Sequence, residues 1–189
     1  MIMVPCLVVQ GRNRVLETGS PAPLAGSLLG HAEMTAFVEL GVGTARGMTL
    51  YTTVEPCLMC TSTGISMRLA KVCYAAADPV FEGLDDALSN HSYMASRIPA
   101  REQLGDPELA AFAALLPLSC RAWSRPGSPP RAEWISSHRR LWDAAAVALP
   151  TLTKLPHEGA GVEAVLREIG PLLERAIVDC PTSPASSLL

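Results

Sequence analysis

Hydrophobic positions come in short blocks over the first half of the chain and settle into helical stripes in the second. Residues 3–10 (MVPCLVVQ) form an apolar run that predicts a buried strand. Residues 11–14 (GRNR) offer a turn and 15–18 (VLET) a return strand, so a hairpin is expected. Residues 20–30, rich in Pro, Gly, Ser and Ala, read as a loop. A helix is expected from about 31 to 40, with Met34, Phe37 and Val38 facing inward and Gly41 as its stop. Residues 48–53 (MTLYTT) have strand propensity. Glu55 and Pro56 end that strand, and Pro56 suits entry to a second helix over 57–69. Residues 71–77 (KVCYAAA) read as another strand. The order hairpin, helix, strand, helix, strand indicates an α/β layer fold around a mixed sheet.

Beyond Asp78 the pattern changes. Residues 80–106 lack clear periodicity, and 107–116 (PELAAFAALL) look helical. Residues 124–130 (SRPGSPP) have the composition of a linker. A helical stripe follows at Trp134, Ile135, His138, Leu141, Trp142 and Ala145 within 131–149. A second one runs over 161–178, in which Pro171 is expected to kink or split the helix. The end, CPTSPASSLL, reads as disordered. Two regions result: a domain over 1–120 and a helical C-terminal extension over 121–189 that packs on it.

Composition narrows the function. At 189 residues, 49% hydrophobic and 17% charged, the chain reads as soluble and globular and can bury a substantial core. No apolar run approaches the roughly 20 residues needed to span a bilayer. The apolar opening has neither a basic flank nor a small-residue cleavage site, so no signal peptide is expected. Six unevenly spaced cysteines, two of them in one CxxC, favour a reduced, cytoplasmic protein with a metal or redox role for that pair. The net charge is −3 and Lys71 and Lys154 are the only lysines. A protein that grips many phosphates carries a basic face, so a small-molecule partner is expected and nucleic acid is not.

Chemistry concentrates in His31-Ala32-Glu33 and Pro56-Cys57-Leu58-Met59-Cys60, each where a strand or loop feeds a helix. Cysteines three apart at a helix start share one face, so both sulfurs can reach one ion. His31, Cys57 and Cys60 make a three-ligand set suited to Zn²⁺, with the fourth tetrahedral position open as catalytic sites require. Glu33 is then placed to act as the proton shuttle of a hydrolytic reaction. An H-x-E…P-C-x-x-C pattern of this kind belongs to zinc deaminases. CxxC alone would equally suit a thioredoxin-like redox pair, which leaves Glu33 unexplained. A closed structural zinc would need a fourth ligand; Cys73, the nearest spare, is more simply a buried small residue. Cys6, Cys120 and Cys180 read as structural or incidental. His91 and His157 read as exposed, and His138 as a packing residue.

HAEMTAF at 31–37 and LYTTVEPCLMC at 50–60 resemble the cytidine/deoxycytidylate deaminase superfamily, closest to its branch of tRNA-adenosine, guanine and bacterial cytosine deaminases. SMRLAKVCYAAADP at 66–79 is also similar to that branch, so the resemblance covers about residues 4–80. It implies a three-layer α/β/α fold with a mixed sheet, one catalytic zinc per chain, and a homodimer or higher oligomer. The reaction implied is hydrolysis of an exocyclic amine from a nucleobase, nucleoside or related amino-heterocycle, of the kind used in salvage. A tRNA-adenosine substrate and an inactive zinc-binding module are the alternatives. Ser20 stands where many members place a base-binding Asn, eleven residues before the zinc His. With Ala32, Asp78 and Phe81 it makes up the expected substrate contacts, Phe81 as a stacking platform. The family also has a helix before its first strand, whose place the C-terminal helices could take.

Overall fold

The computed structural model describes residues 9–41, 43, 45–124, 132–157 and 161–177. Its elements are α1 (Ala32–Leu40), β1 (Thr49–Val54), α2 (Leu58–Ser66), β2 (Lys71–Ala76), a 3-10 turn (Pro79–Phe81), α3 (Leu84–Ser89), α4 (Ser92–Ala95), β3 (Ala100–Gln103), α5 (Pro107–Ser124), α6 (Ala132–His157) and α7 (Val162–Ile177).

The three strands form one sheet in the order β1-β2-β3. Lys71 N–H reaches Met48 O at 3.3 Å and Glu55 N–H reaches Ala76 O at 2.8 Å; Ala100 N–H reaches Ala70 O at 3.0 Å and Leu104 N–H reaches Tyr74 O at 2.8 Å. Donor and acceptor numbers rise together on both sides, so both pairings are parallel. Parallel strands need crossovers, supplied by α2 between β1 and β2 and by α3 and α4 between β2 and β3. β2 buries Val72, Cys73, Ala75 and Ala76, as a central strand covered on both faces should. Cys73, at 3% exposure, is thus the small buried residue expected.

The hairpin is not observed among the described residues. Val15 and Leu16 form a turn rather than a return strand. Asn13 Oδ1 accepts from Val15 N–H at 3.1 Å, and Glu17 N–H bonds Arg14 O at 3.0 Å, folding the segment back on itself. Glu17 then pairs with Arg12 at 2.9 Å and Arg14 at 2.7 Å. Residues 3–8, the rest of the expected first strand, lie outside the described residues, and the described sheet is parallel rather than mixed.

The chain divides into two compact units. The first comprises residues 1–52, 56–73 and 83–102. Its buried side chains include Phe37, Ile65, Leu69 and Cys60. α1 and α2 meet where the Phe37 ring approaches Gly64, whose missing Cβ would lie 3.8 Å from Phe37 Cζ. Thr35, not Val38, joins Phe37 on the inner face of α1; Val38 is exposed. Thr35 is buried because its hydroxyl accepts from Arg12 N–H at 2.8 Å and has Arg12 O and Ala32 O as acceptors at 2.9 Å, fastening the preceding segment to the helix. That contact is close: a Cβ on Gly11 would collide with the backbone of α1. α2 ends at Met67, where Arg68 takes a positive φ of 59° and Leu69 N–H reaches back to Gly64 O at 2.9 Å.

The second unit comprises residues 53–55, 74–82 and 103–189. Its core joins Leu115 and Leu118 of α5, Trp134, Leu141 and Ala145 of α6, and Ile169 and Leu173 of α7, with Ala75 and Ala76. Alanines at 111, 113, 114, 145 and 148 let these helices approach closely. Trp134 is buried and Trp142 packs against the cluster, as the stripe predicted. α5 runs well beyond the expected residue 116, through Pro117. α7 likewise continues through Pro171 without splitting, its Val165, Ile169, Leu173 and Ala176 face seated in the core. The linker at 125–130, the terminal decapeptide from 180, Cys6, Cys180 and the side chains of Ile135, His138 and His157 lie outside the described residues.

Candidate metal centre

Two helix starts build the site, both in the first unit. His31 is the N-cap of α1, with extended φ and ψ of −62° and 150°; Glu33 follows in the first turn. Gly30 precedes His31 in a loop too tight for a side chain: a Cβ there would sit 2.6 Å from Leu24 O and 3.0 Å from Ser27 O. Cys57 is the N-cap of α2, also extended, and Cys60 lies in that helix's first turn, 1% exposed.

These starts bring the predicted ligands together. Cys57 Sγ lies 3.6 Å from His31 Nδ1, Cys60 Sγ 3.7 Å from the same atom, and the two sulfurs are 3.5 Å apart. All three donors fall within 4.8 Å of one another. Ideal tetrahedral bonding to zinc would separate sulfur from sulfur by about 3.8 Å and sulfur from nitrogen by about 3.6 Å. The donor set and its spacing therefore fit Zn²⁺. Among the described residues no further His, Cys, Asp or Glu joins this group; a zinc held by these three donors would keep a fourth tetrahedral position for water.

The protonation of the cluster follows from its crowding. The Cys57 thiol is pushed down to about 4, first by its hydrogen bond with Cys60 and also by its bond with His31. Cys60 is pushed up, first by that same hydrogen bond and also by its burial. His31 is raised above its ordinary 6.5, chiefly by its hydrogen bond with Cys57. A thiolate is thus already favoured at Cys57, the form a metal needs.

Glu33 faces this cluster. Its Oε2 lies 3.7 Å from Cys60 Sγ, while Oε1 accepts from the Thr52 hydroxyl at 3.1 Å. The remaining expected contacts are occupied locally. Ser20 Oγ accepts from Ala22 N–H at 3.2 Å in a turn. Ala32 opens α1 and is half-buried. Asp78 Oδ1 accepts from Val80 N–H at 3.0 Å, and Asp78 N–H bonds Glu55 Oε2 at 3.2 Å. Phe81 closes the 3-10 turn, half-buried. Asp78 and Phe81 belong to the second unit. His91 is the exposed N-cap of α4.

Comparison with known proteins agrees with this geometry. Residues 1–76 match the model of the cytidine and deoxycytidylate deaminase zinc-binding region. The chain belongs to the cytidine/deoxycytidylate deaminase superfamily. It is 31% identical over 107 residues to a tRNA-specific adenosine deaminase of Aquifex aeolicus, covering 51% of this chain and 66% of that protein. It is 42% identical over 55 residues to the tRNA-specific adenosine deaminase of Bacillus subtilis, covering 27% of this chain and 34% of that protein. A third relative, a tRNA(Ile)-lysidine synthase of Deinococcus deserti, is 32% identical over 98 residues, or 48% of this chain and 18% of that protein. The matches thus span from under a fifth to about two thirds of these relatives. No solved structure matches. The superfamily assignment accounts for a zinc held by His31, Cys57 and Cys60.

Sequence reading missed Thr52, the partner of Glu33. The signal was available: Thr52 alternates with Leu50 and Val54, the inward positions of a period-2 strand.

Proposed function

We propose that the chain is a zinc-dependent hydrolytic deaminase that removes the exocyclic amine of a nucleobase, with adenosine in tRNA as its substrate. The observation that carries the reaction is the placement of Glu33 Oε2 3.7 Å from one of three clustered metal donors. When bound, zinc supplies an acidified water, whose pKa such metals lower from 15.7 to about 7. Glu33 Oε2, beside the donors that would hold the zinc, would accept the proton of a water that attacks the ring carbon. Glu33 would deliver that proton to the ring nitrogen and then carry the proton of the adduct's hydroxyl to the amine, so that the carbonyl forms, the carbon–nitrogen bond breaks and ammonia leaves. Thr52 holds Oε1 and keeps Oε2 turned to the cluster.

The tRNA reading draws on the relatives, two of which are named for tRNA adenosine deamination. Charge supports it as well once it is counted by unit. The unit bearing the metal centre holds seven Lys and Arg against six Asp and Glu, and the acidic excess, twelve against eight, lies in the other. Overall acidity therefore argues less against a polyanion than composition suggested. A free base, nucleoside or amino-triazine is the second reading, favoured by the scarcity of lysine. A homodimer and a cytoplasmic location accompany either reading; among the described residues no helix is long and apolar enough to cross a membrane.

Ammonia release is the test, across tRNA, adenine, guanine, cytosine, their nucleosides and amino-triazines, with Glu33→Ala as control. Turnover of tRNA adenosine that Glu33→Ala abolishes is expected. Turnover of a small substrate alone would move the assignment to the second reading. No turnover of any, with zinc bound, would overturn the enzyme reading.

A further inference from the structure

Arg101 is a guanidinium that the proposed reaction leaves unused, yet its side chain is only 12% exposed. Burying such a charge costs several kcal/mol unless it is paired. Its Nε lies 2.8 Å from Asp85 Oδ2 on α3, which answers the charge. A second bond goes elsewhere: Nη2 donates to Thr61 Oγ1 at 3.0 Å. Thr61 is 4% exposed and directly follows the ligand Cys60. Its hydroxyl lies 3.1 Å from Pro56 O, and its N–H donates to Cys57 O at 2.9 Å.

A hydroxyl carries one proton. Because Thr61 Oγ1 accepts from Arg101, that proton is directed to Pro56 O. The chain Arg101–Thr61–Pro56 therefore closes a bracket around the metal loop, with Cys57 and Cys60 both between its ends. All of these residues lie in the first unit. We propose that Arg101, acting through Thr61, is a positioning residue that holds the Pro56–Cys60 loop in its metal-binding form and slows loss of the metal. The inference rests on zinc at this centre and is independent of substrate.

The experiment follows zinc transfer from the zinc-loaded full chain to an excess of a chromophoric chelator, well below each variant's unfolding midpoint. Outer partners of metal ligands are worth about 10- to 100-fold in affinity. Thr61→Val and Arg101→Gln are expected to release zinc about tenfold faster. Thr61→Ser is expected to release at the wild-type rate. So is Lys71→Gln, which breaks only the exposed pair with Glu102. Should Arg101→Gln fail to fold, Thr61→Val against Thr61→Ser decides. Bound zinc with wild-type release from Thr61→Val would overturn the bracket alone. Wild-type protein that takes up no zinc would overturn the metal centre with it.

Discussion

The Thr52 hydroxyl donates to Glu33 Oε1 across 3.1 Å, joining the inner face of β1 to the first turn of α1. The carboxylate is thereby fixed by a strand rather than by its own helix. Hydrogen bonds to charged groups contribute about 1.5–3 kcal/mol. Thr52→Val is accordingly expected to lower kcat about tenfold while zinc content stays at one per chain. Thr52→Ser should keep most of the activity. Steady-state ammonia release beside metal analysis checks both, and a Thr52→Val enzyme with wild-type kcat would show that Glu33 needs no such partner.

Gly30 makes room for the loop that delivers His31. An alanine there would press its Cβ to 2.6 Å from Leu24 O, a backbone atom that cannot swing away. Overpacking of this kind costs about 1–3 kcal/mol. Gly30→Ala should lower the unfolding midpoint by several degrees and reduce zinc occupancy together. Gly43→Ala meets nothing within 4 Å and should change neither.

Acid should strip the metal before it unfolds the protein. His31 binds a proton more readily than an ordinary histidine, first because of its hydrogen bond with Cys57. As pH falls through that raised value, protons compete for Nδ1 and zinc affinity drops. In the metal-free chain the sign is opposite. The shift contributes stability that is fully present below 6.5, the ordinary value, and is lost as pH rises through the raised one. The depressed Cys57 contributes stability that is fully present above 9.0, its ordinary value, and is lost progressively as pH falls towards about 4. Gel filtration near pH 5.5 should yield folded, zinc-poor protein that reloads near pH 8, by metal analysis and circular dichroism. Joint loss of zinc and structure at that pH would contradict this.

The C-terminal helices complete a core rather than decorate one. Leu115 and Leu118 of α5 are 0% and 2% exposed because they share a cluster with α6 and α7. Each fully buried side chain of this size contributes about 1.5–3 kcal/mol, against a total stability of about 5–15 kcal/mol. A chain ending at residue 124 is expected to be insoluble, as fractionation of the expressed protein would show. A soluble, zinc-loaded fragment would make residues 125–189 dispensable to the fold.

The metal ligands were legible because their spacing is local. His31 with Glu33, and Cys57 with Cys60, are each fixed by one helical turn, and only the meeting of the two turns is tertiary. β1 and β2 were legible for the same reason, through β-branched and apolar runs of the right length, whereas the short polar β3 was not. Val15 and Leu16 misled because their propensity suits a strand, while Asn13 and the paired charges of Arg12, Arg14 and Glu17 close a turn first. Thr35 was hidden by its polarity: a threonine is buried when its hydroxyl bonds backbone, which no hydrophobic pattern registers. Arg101 and Thr61 are forty positions apart in sequence, and nothing short of the folded chain connects them.

His31 and Glu33 stand two residues apart at the start of one helix, so a ligand and the proposed proton carrier ride on a single rigid lever. The helix start sets the separation of their backbones, while the Thr52 bond to Oε1 sets the direction of the carboxylate. Drift in the surrounding loops can therefore re-cut the entrance for a different base while the chemical step stays in register. Such a part can be inherited intact by proteins that share little else.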